Sequence, residues 1–351
     1  MSKFWSETAR GTEPYVPGEQ PKMNHIIKLN TNENPYPPSP KVLETLQMAA
    51  NANLRLYPDP MAEELTEVIA NYYHVPKNYV FVGNGSDEVL AFSFLAFFNR
   101  NEKIFFPDIT YSFYPVYANL YNLSYEEIEL NEDFTIPIEK LFQAEGGVIF
   151  PNPNAPTSLG LTFNHVERIV QNNPNKVVIV DEAYVDFGSD SVVPLVHRYD
   201  NLLVIQTLSK SRSLAGLRVG FAIGNEQLIE GLNRIKNSFN SYTLDRLALV
   251  GAKAALEDTD YFNETRCKII ETREEVCNEL KDLHFKVLDS KTNFLFVKHE
   301  QASAKRIFEK LKENGIYVRY FNKPRIDQYL RVTIGLNEEM EVLLENLREI
   351  L

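Results

Sequence analysis

Beyond residue 40 the chain alternates between two hydrophobic rhythms. Short, nearly continuous apolar runs at 79–82, 103–106, 125–129, 147–150, 177–180, 202–207 and 218–223 read as strands covered on both faces. Amphipathic stretches at 41–52, 60–73, 86–99, 112–121 and 164–172 read as helices placed before and between them. The alternation predicts an α/β domain around a mostly parallel sheet of about seven strands. Two long helices, 243–257 and 259–283, then lead to strands near 285–288, 293–298, 316–319 and 329–334, with helices near 301–314 and 338–350, a small α+β domain. The first forty residues differ from the rest. They carry Pro14, Pro17, Pro21, Pro35, Pro37, Pro38 and Pro40 with little apolar periodicity, which predicts an extended arm of the kind that often sits on a partner subunit. The expected organisation is an arm over 1–40, a large domain over 41–250 and a small C-terminal domain over 251–351, with no internal repeat.

Charge narrows the function. The chain has 36 Lys and Arg against 48 Asp and Glu, a net charge of -12, and the acidic excess is spread over helix faces. Such a surface repels nucleic acid and anionic membranes. No window approaches eighteen unbroken apolar residues and the first fifteen residues lack the apolar centre of a signal peptide, so a cytoplasmic location is expected. Cys267 and Cys277, ten residues apart in one predicted helix, stand about 15 Å apart along its axis, too far for a disulfide. The six histidines show no metal spacing, and His299-Glu300 lacks the second histidine of HExxH, so no metal is expected.

In a doubly wound sheet, ligands bind beyond the carboxyl ends of the strands, so polar residues that end apolar runs are the first candidates. Three ends stand out. The run 177–180 ends in Asp181 and places Tyr184 three residues on; alone, Asp181 could equally cap a turn. The run 202–207 leads to Lys210 among Thr207, Ser209 and Ser211, with Arg218 eight residues later, a grouping of hydroxyls and guanidinium that suits a phosphate dianion beside an amine. Gly83-Asn84-Gly85-Ser86-Asp87-Glu88 turns from a strand into a helix, whose N-terminus offers free N–H groups to phosphate; it is neither a dinucleotide fingerprint nor a Walker loop.

The order of these elements, with 29 residues from Asp181 to Lys210 and eight more to Arg218, resembles the fold-type I pyridoxal-phosphate aminotransferases over essentially the whole chain. Within them, Leu29-Asn30-Thr31-Asn32-Glu33-Asn34-Pro35, Tyr57-Pro58-Asp59, Asp181-Glu182-Ala183-Tyr184, Ala215-Gly216-Leu217-Arg218-Val219-Gly220 and Leu330-Arg331-Val332-Thr333-Ile334-Gly335 look most like the histidinol-phosphate aminotransferase family. The resemblance implies a large domain on a mostly parallel seven-stranded sheet, a small α+β C-terminal domain, a homodimer, and pyridoxal 5'-phosphate as cofactor. It implies ping-pong exchange between histidinol phosphate, imidazole acetol phosphate, glutamate and 2-oxoglutarate in histidine biosynthesis.

Roles carry over residue by residue. Lys210 becomes the Schiff-base lysine and proton carrier, Asp181 the partner of the pyridine nitrogen, Tyr184 a donor to the ring's phenolic oxygen, and Tyr111 the ring that stacks on the cofactor. Phosphate would fall to Thr207, Ser209, Arg218 and the N–H groups of Gly85, Ser86 and Asp87, with Tyr57 reaching in from the neighbouring subunit and the Asp87 side chain pointing away. Arg331 would grip the α-carboxylate of glutamate, and Arg319 with Tyr15 the distal anion. One departure concerns the asparagine that usually directly precedes a proline: Ala155 stands there, and Asn154 is the displaced candidate. Alternatives are a threonine-phosphate decarboxylase or an aromatic amino-acid aminotransferase. A non-catalytic relative would have lost Lys210 or Asp181, and both are present.

Overall fold

The structure, a computed structural model, describes residues 3–15, 18–21 and 26–351; Pro17 of the proline-rich arm lies outside them. Its helices are α1 (Glu7–Gly11), α2 (Pro40–Ala49), α3 (Glu63–Tyr73), α4 (Gly85–Phe97), α5 (Phe113–Leu120), α6 (Phe163–Gln171), α7 (Glu226–Phe239), α8 (Arg246–Glu257), α9 (Thr259–Asp282), α10 (Ala304–Glu313) and α11 (Asn337–Ile350). Seven strands build the large sheet: β2 (Val80–Asn84), β3 (Ile104–Pro107), β4 (Tyr125–Ile128), β5 (Gly147–Pro151), β6 (Val178–Asp181), β7 (Leu202–Thr207) and β8 (Val219–Gly224). Their spatial order is β2-β8-β7-β6-β5-β3-β4, parallel throughout except that β8 runs antiparallel to both of its neighbours.

Alternation along each strand covers both faces of this sheet. Val148, Phe150, Val178, Val180, Leu202 and Val204 pack into one apolar layer, while Ile149, Ile179, Leu203 and Ile205 pack into the other. Ser39, Thr162 and Asp245 cap α2, α6 and α8 through side-chain oxygens, which fixes where the flanking loops leave the layers.

The smaller sheet is antiparallel, in the order β12 (Arg319–Tyr320), β13 (Leu330–Thr333), β10 (Phe294–His299), β9 (Phe285–Val287). It has its own core, with Leu295, Val297, Leu330 and Val332 meeting Ile307, Leu343 and Leu347 of α10 and α11. The N-terminal arm does not simply extend: α1 is one helical turn, and β1 (Ile27–Lys28) pairs in parallel with β11 (Ile316–Tyr317). Leu29 then continues the join, donating to the Tyr317 carbonyl and accepting from Thr333 N–H.

Two further elements differ from the sequence reading. Helix α7 was not anticipated, although Leu228, Ile229, Leu232, Ile235 and Phe239 keep helical spacing; its polar composition and Gly231 hide it. The single strand expected at 316–319 is two short strands in different sheets, broken at Val318.

Candidate active site

The carboxyl ends of β6 and β7, the N-terminus of α4 and the edge of the small sheet converge on a cavity of about 290 Å³. Twelve residues nominated from the sequence line it: Tyr15, Ser86, Asp87, Tyr111, Asp181, Tyr184, Thr207, Ser209, Lys210, Arg218, Arg319 and Arg331. A larger cavity of about 840 Å³ opens between α3, β2 and α7, and none of the nominated residues lines it.

Asp181 ends β6 and is almost wholly buried. Burial pushes its carboxyl up to about 7, against the opposing pull of the Tyr114 hydroxyl (3.1 Å) and the Ala183 N–H (3.2 Å). A carboxylate so poorly solvated gains strongly from a cationic N–H beside it. Tyr114 was not foreseen; it lies in the first turn of α5, three residues after the non-helical Tyr111, and the packing of α5 brings its hydroxyl to residue 181.

Lys210 sits in the turn after β7 and is the one lysine among the lining residues; its ammonium donates to the Thr31 carbonyl at 3.2 Å and lies 5.9 Å from the Tyr184 ring. Asn34 donates to the Lys210 carbonyl at 2.9 Å. Thr207 and Ser209 place their hydroxyls 2.9 Å apart beside it. Ser211 turns away, its hydroxyl bound to Asp186, so it leaves the group of hydroxyls that the sequence suggested.

Gly85 opens α4 at φ +76°, and a Cβ there would lie 2.5 Å from the Arg218 guanidinium. Gly220 on β8 is tighter still: a Cβ would meet Ser86 N at 2.3 Å. Arg218 itself holds φ +55°, a strained value for a side-chain-bearing residue and one that is concentrated at functional sites. These contacts form a cradle of free N–H groups and a guanidinium. The Asp87 carboxylate does not point away, as phosphate binding alone would require. It accepts from Arg218 at 2.9 Å and from Tyr111 at 2.7 Å, the first a charge-assisted pair.

Arg319 and Arg331 face the cavity from the small sheet as a directly paired cross-strand couple. Arg331 donates to the Asn30 carbonyl at 3.0 Å while its buried Nε has no partner among the described residues, and desolvation together with the Arg319 charge lowers its pKa. Tyr15 stacks on Phe113 with ring centroids 4.2 Å apart, bringing the arm to the same cavity.

Two nominated residues lie elsewhere. Tyr57 is 77% exposed, stacked on Tyr242 and away from its own chain's cavity. Asn154 is buried behind Ala155 and Pro156, which line the cavity in its place. Its amide donates to the Ile109 carbonyl and to Thr157, both at 2.9 Å, and the atom without a partner among the described residues is the acceptor Oδ1, so this geometry offers no donor for a ring oxygen.

The residues present fit a phosphorylated ring with a cationic nitrogen. A glycine-lined cradle takes an anion, a poorly solvated carboxylate takes a cation, and Thr110 Oγ1, like Arg331 Nε, is a buried polar atom on the cavity wall with no partner among the described residues.

Comparison with known proteins agrees with that chemistry. The family model for aminotransferase class I and II matches residues 24–347. A histidinol-phosphate aminotransferase of Clostridium beijerinckii is 61% identical over 351 residues, covering 100% of this chain and 98% of that protein. One from Clostridium botulinum is 58% identical, covering 100% and 99%. Among solved structures, the histidinol-phosphate aminotransferase of Sinorhizobium meliloti in complex with pyridoxal-5'-phosphate superposes with a TM-score of 0.90 at 21% identity, covering 100% of this chain and 98% of that one, a likeness of fold.

Proposed function

The chain belongs to the class I and II aminotransferases, and we propose that it moves an amino group between histidinol phosphate and 2-oxoglutarate on pyridoxal phosphate held by Lys210. One observation carries the reading: a single cavity offers an amine, a buried acid, a phosphate cradle at one end and paired arginines at the other. That arrangement suits a phosphorylated cofactor together with a substrate that brings its own anion.

Bound pyridoxal phosphate supplies an electron sink that makes a proton on the substrate's nitrogen-bearing carbon removable. Lys210, with a backbone carbonyl as its hydrogen-bond partner, is the base positioned to take that proton and return it. Asp181 would keep the ring nitrogen protonated, and Tyr114 orients the carboxylate for that contact. Thr207, Ser209, Arg218 and the first N–H groups of α4 would hold the phosphate, with the Arg218 to Asp87 pair loosening as a second anion arrives. Arg331 would take the α-carboxylate of glutamate, and Arg319 with Tyr15 the distal carboxylate or phosphate.

A homodimer accounts for Tyr57. Leu54, Leu56, Tyr57, Met61, Phe239 and Tyr242 are exposed large hydrophobics, the composition of a surface covered by a second copy. There Tyr57 would reach the partner's phosphate. Among the described residues no helix is long and apolar enough to cross a membrane, and the small charged substrates suit an enzyme of the cytoplasm.

The test uses purified protein loaded with the cofactor. Glutamate alone should bleach the visible band, imidazole acetol phosphate should restore it, and histidinol phosphate should outperform phenylalanine as donor. Release of carbon dioxide from threonine phosphate, or preference for phenylalanine, would overturn the substrate assignment.

A further inference from the structure

Among the residues around the cavity, Asn32 is held by side chains at its N–H, its carbonyl and its side-chain oxygen. It is buried to 1% exposure and adopts φ +56°, a left-handed conformation that asparagine tolerates better than most residues with a side chain. Its amide Nδ2 donates to the Tyr184 hydroxyl at 2.9 Å. The orientation of that amide is set by its other end. Thr333 Oγ1 accepts from Asn32 N–H at 3.0 Å and its own proton goes to Asn32 Oδ1 at 3.1 Å, which leaves Nδ2 to face Tyr184. Asn293 fixes the backbone by donating to the Asn32 carbonyl at 3.1 Å.

The direction of this hydrogen bond has a chemical consequence. A tyrosine oxygen that already accepts from an amide directs its own proton elsewhere, and Tyr184 lines the cavity. We propose that Asn32 is a positioning residue that holds the Tyr184 hydroxyl as a donor into the cavity, and that Thr333 ties this orientation to the strand carrying Arg331. Thr333 and Arg331 are two residues apart on β13 and therefore on one face of the small sheet. Substrate binding at Arg331 and hydrogen-bond donation by Tyr184 are thus linked through one strand and one asparagine. The inference rests on the proposed cofactor, whose phenolic oxygen would be the acceptor.

The readout is the pH titration of the bound cofactor's visible absorbance. Donation from Tyr184 stabilises the anionic ring oxygen, so losing it raises the midpoint. Asn32→Gly removes the amide where glycine adopts φ > 0 without strain, and should raise the midpoint by about half to one pH unit. Tyr184→Phe should raise it at least as far, and Asn32→Gly should add nothing in the Tyr184→Phe background. The charged groups facing Tyr184, Lys210 and Arg331, are unchanged in these variants. Thr333→Val, which frees the asparagine amide, should shift the midpoint in the same direction by less and serves if Asn32→Gly does not fold. An unshifted midpoint, or an equal shift in the Tyr184→Phe background, overturns the assignment of Asn32. Absence of any visible band in the wild-type protein would instead contradict the proposed cofactor chemistry.

Discussion

Arg319 and Arg331 are register partners across β12 and β13, two guanidinium groups on one face of a sheet. Like charges directly opposite each other destabilise a sheet. Their joint placement at a cavity wall is explained by an anion that both can reach, and among the described residues Arg331 Nε has no partner.

Removing Arg319 should therefore separate function from stability. Arg319→Ala is expected to lower kcat/KM for histidinol phosphate by about 10- to 100-fold, the worth of one charge-assisted hydrogen bond, with a smaller loss for glutamate. Its Tm should hold or rise, because a repulsion is relieved. Steady-state kinetics with both donors, together with thermal unfolding, decides the point. An unchanged kcat/KM for histidinol phosphate would remove Arg319 from recognition of the distal anion.

Burial of Asp181 makes a pH prediction for the cofactor-free protein. Its folded pKa of about 7 lies above the ordinary 3.8, so the folded state binds the proton more tightly. The stability this gives is fully present below about pH 4 and is lost as pH rises through 7. Relative to Asp181→Asn, wild-type apoprotein should lose up to about 1.4 kcal/mol per pH unit between pH 5 and 7. Glu182, also pushed up to about 7, is common to both proteins and cancels. Urea unfolding at several pH values measures the difference, and a flat difference would contradict it. Cofactor should flatten the slope by supplying a cationic partner.

Two glycines test the cradle. Gly220→Ala places a Cβ 2.3 Å from Ser86 N and 2.4 Å from the Gly85 carbonyl carbon, backbone that cannot yield without opening α4. A cost of about 1–3 kcal/mol is expected, with roughly tenfold weaker cofactor binding by equilibrium dialysis. Gly216→Ala meets nothing within 4 Å among the described residues and should change stability by less than about 1 kcal/mol.

Much of this was legible in the sequence because strand ends are local. Apolar runs stop at Asp181 and Thr207, and the residues that follow carry the chemistry, so twelve nominated side chains meet in one cavity. What escaped notice depends on distant contacts. Tyr114 reaches Asp181 across 67 residues and Asn32 reaches Tyr184 across 152, and neither spacing leaves a periodic trace. Asn32 lies within the motif Leu29–Pro35, whose local pattern does not mark its contact. The antiparallel entry of β8 was equally invisible, since strand direction is set by the route of the connecting loop and not by the apolar pattern. Asn154 misled for a related reason: adjacency in sequence to Ala155 did not determine which way its amide faces.

The most direct measurement is borohydride reduction of the cofactor-loaded enzyme followed by peptide mass mapping. The account predicts one pyridoxyl-phosphate adduct, on Lys210, and none in Lys210→Ala. An adduct on another lysine, or one that persists in Lys210→Ala, would contradict it.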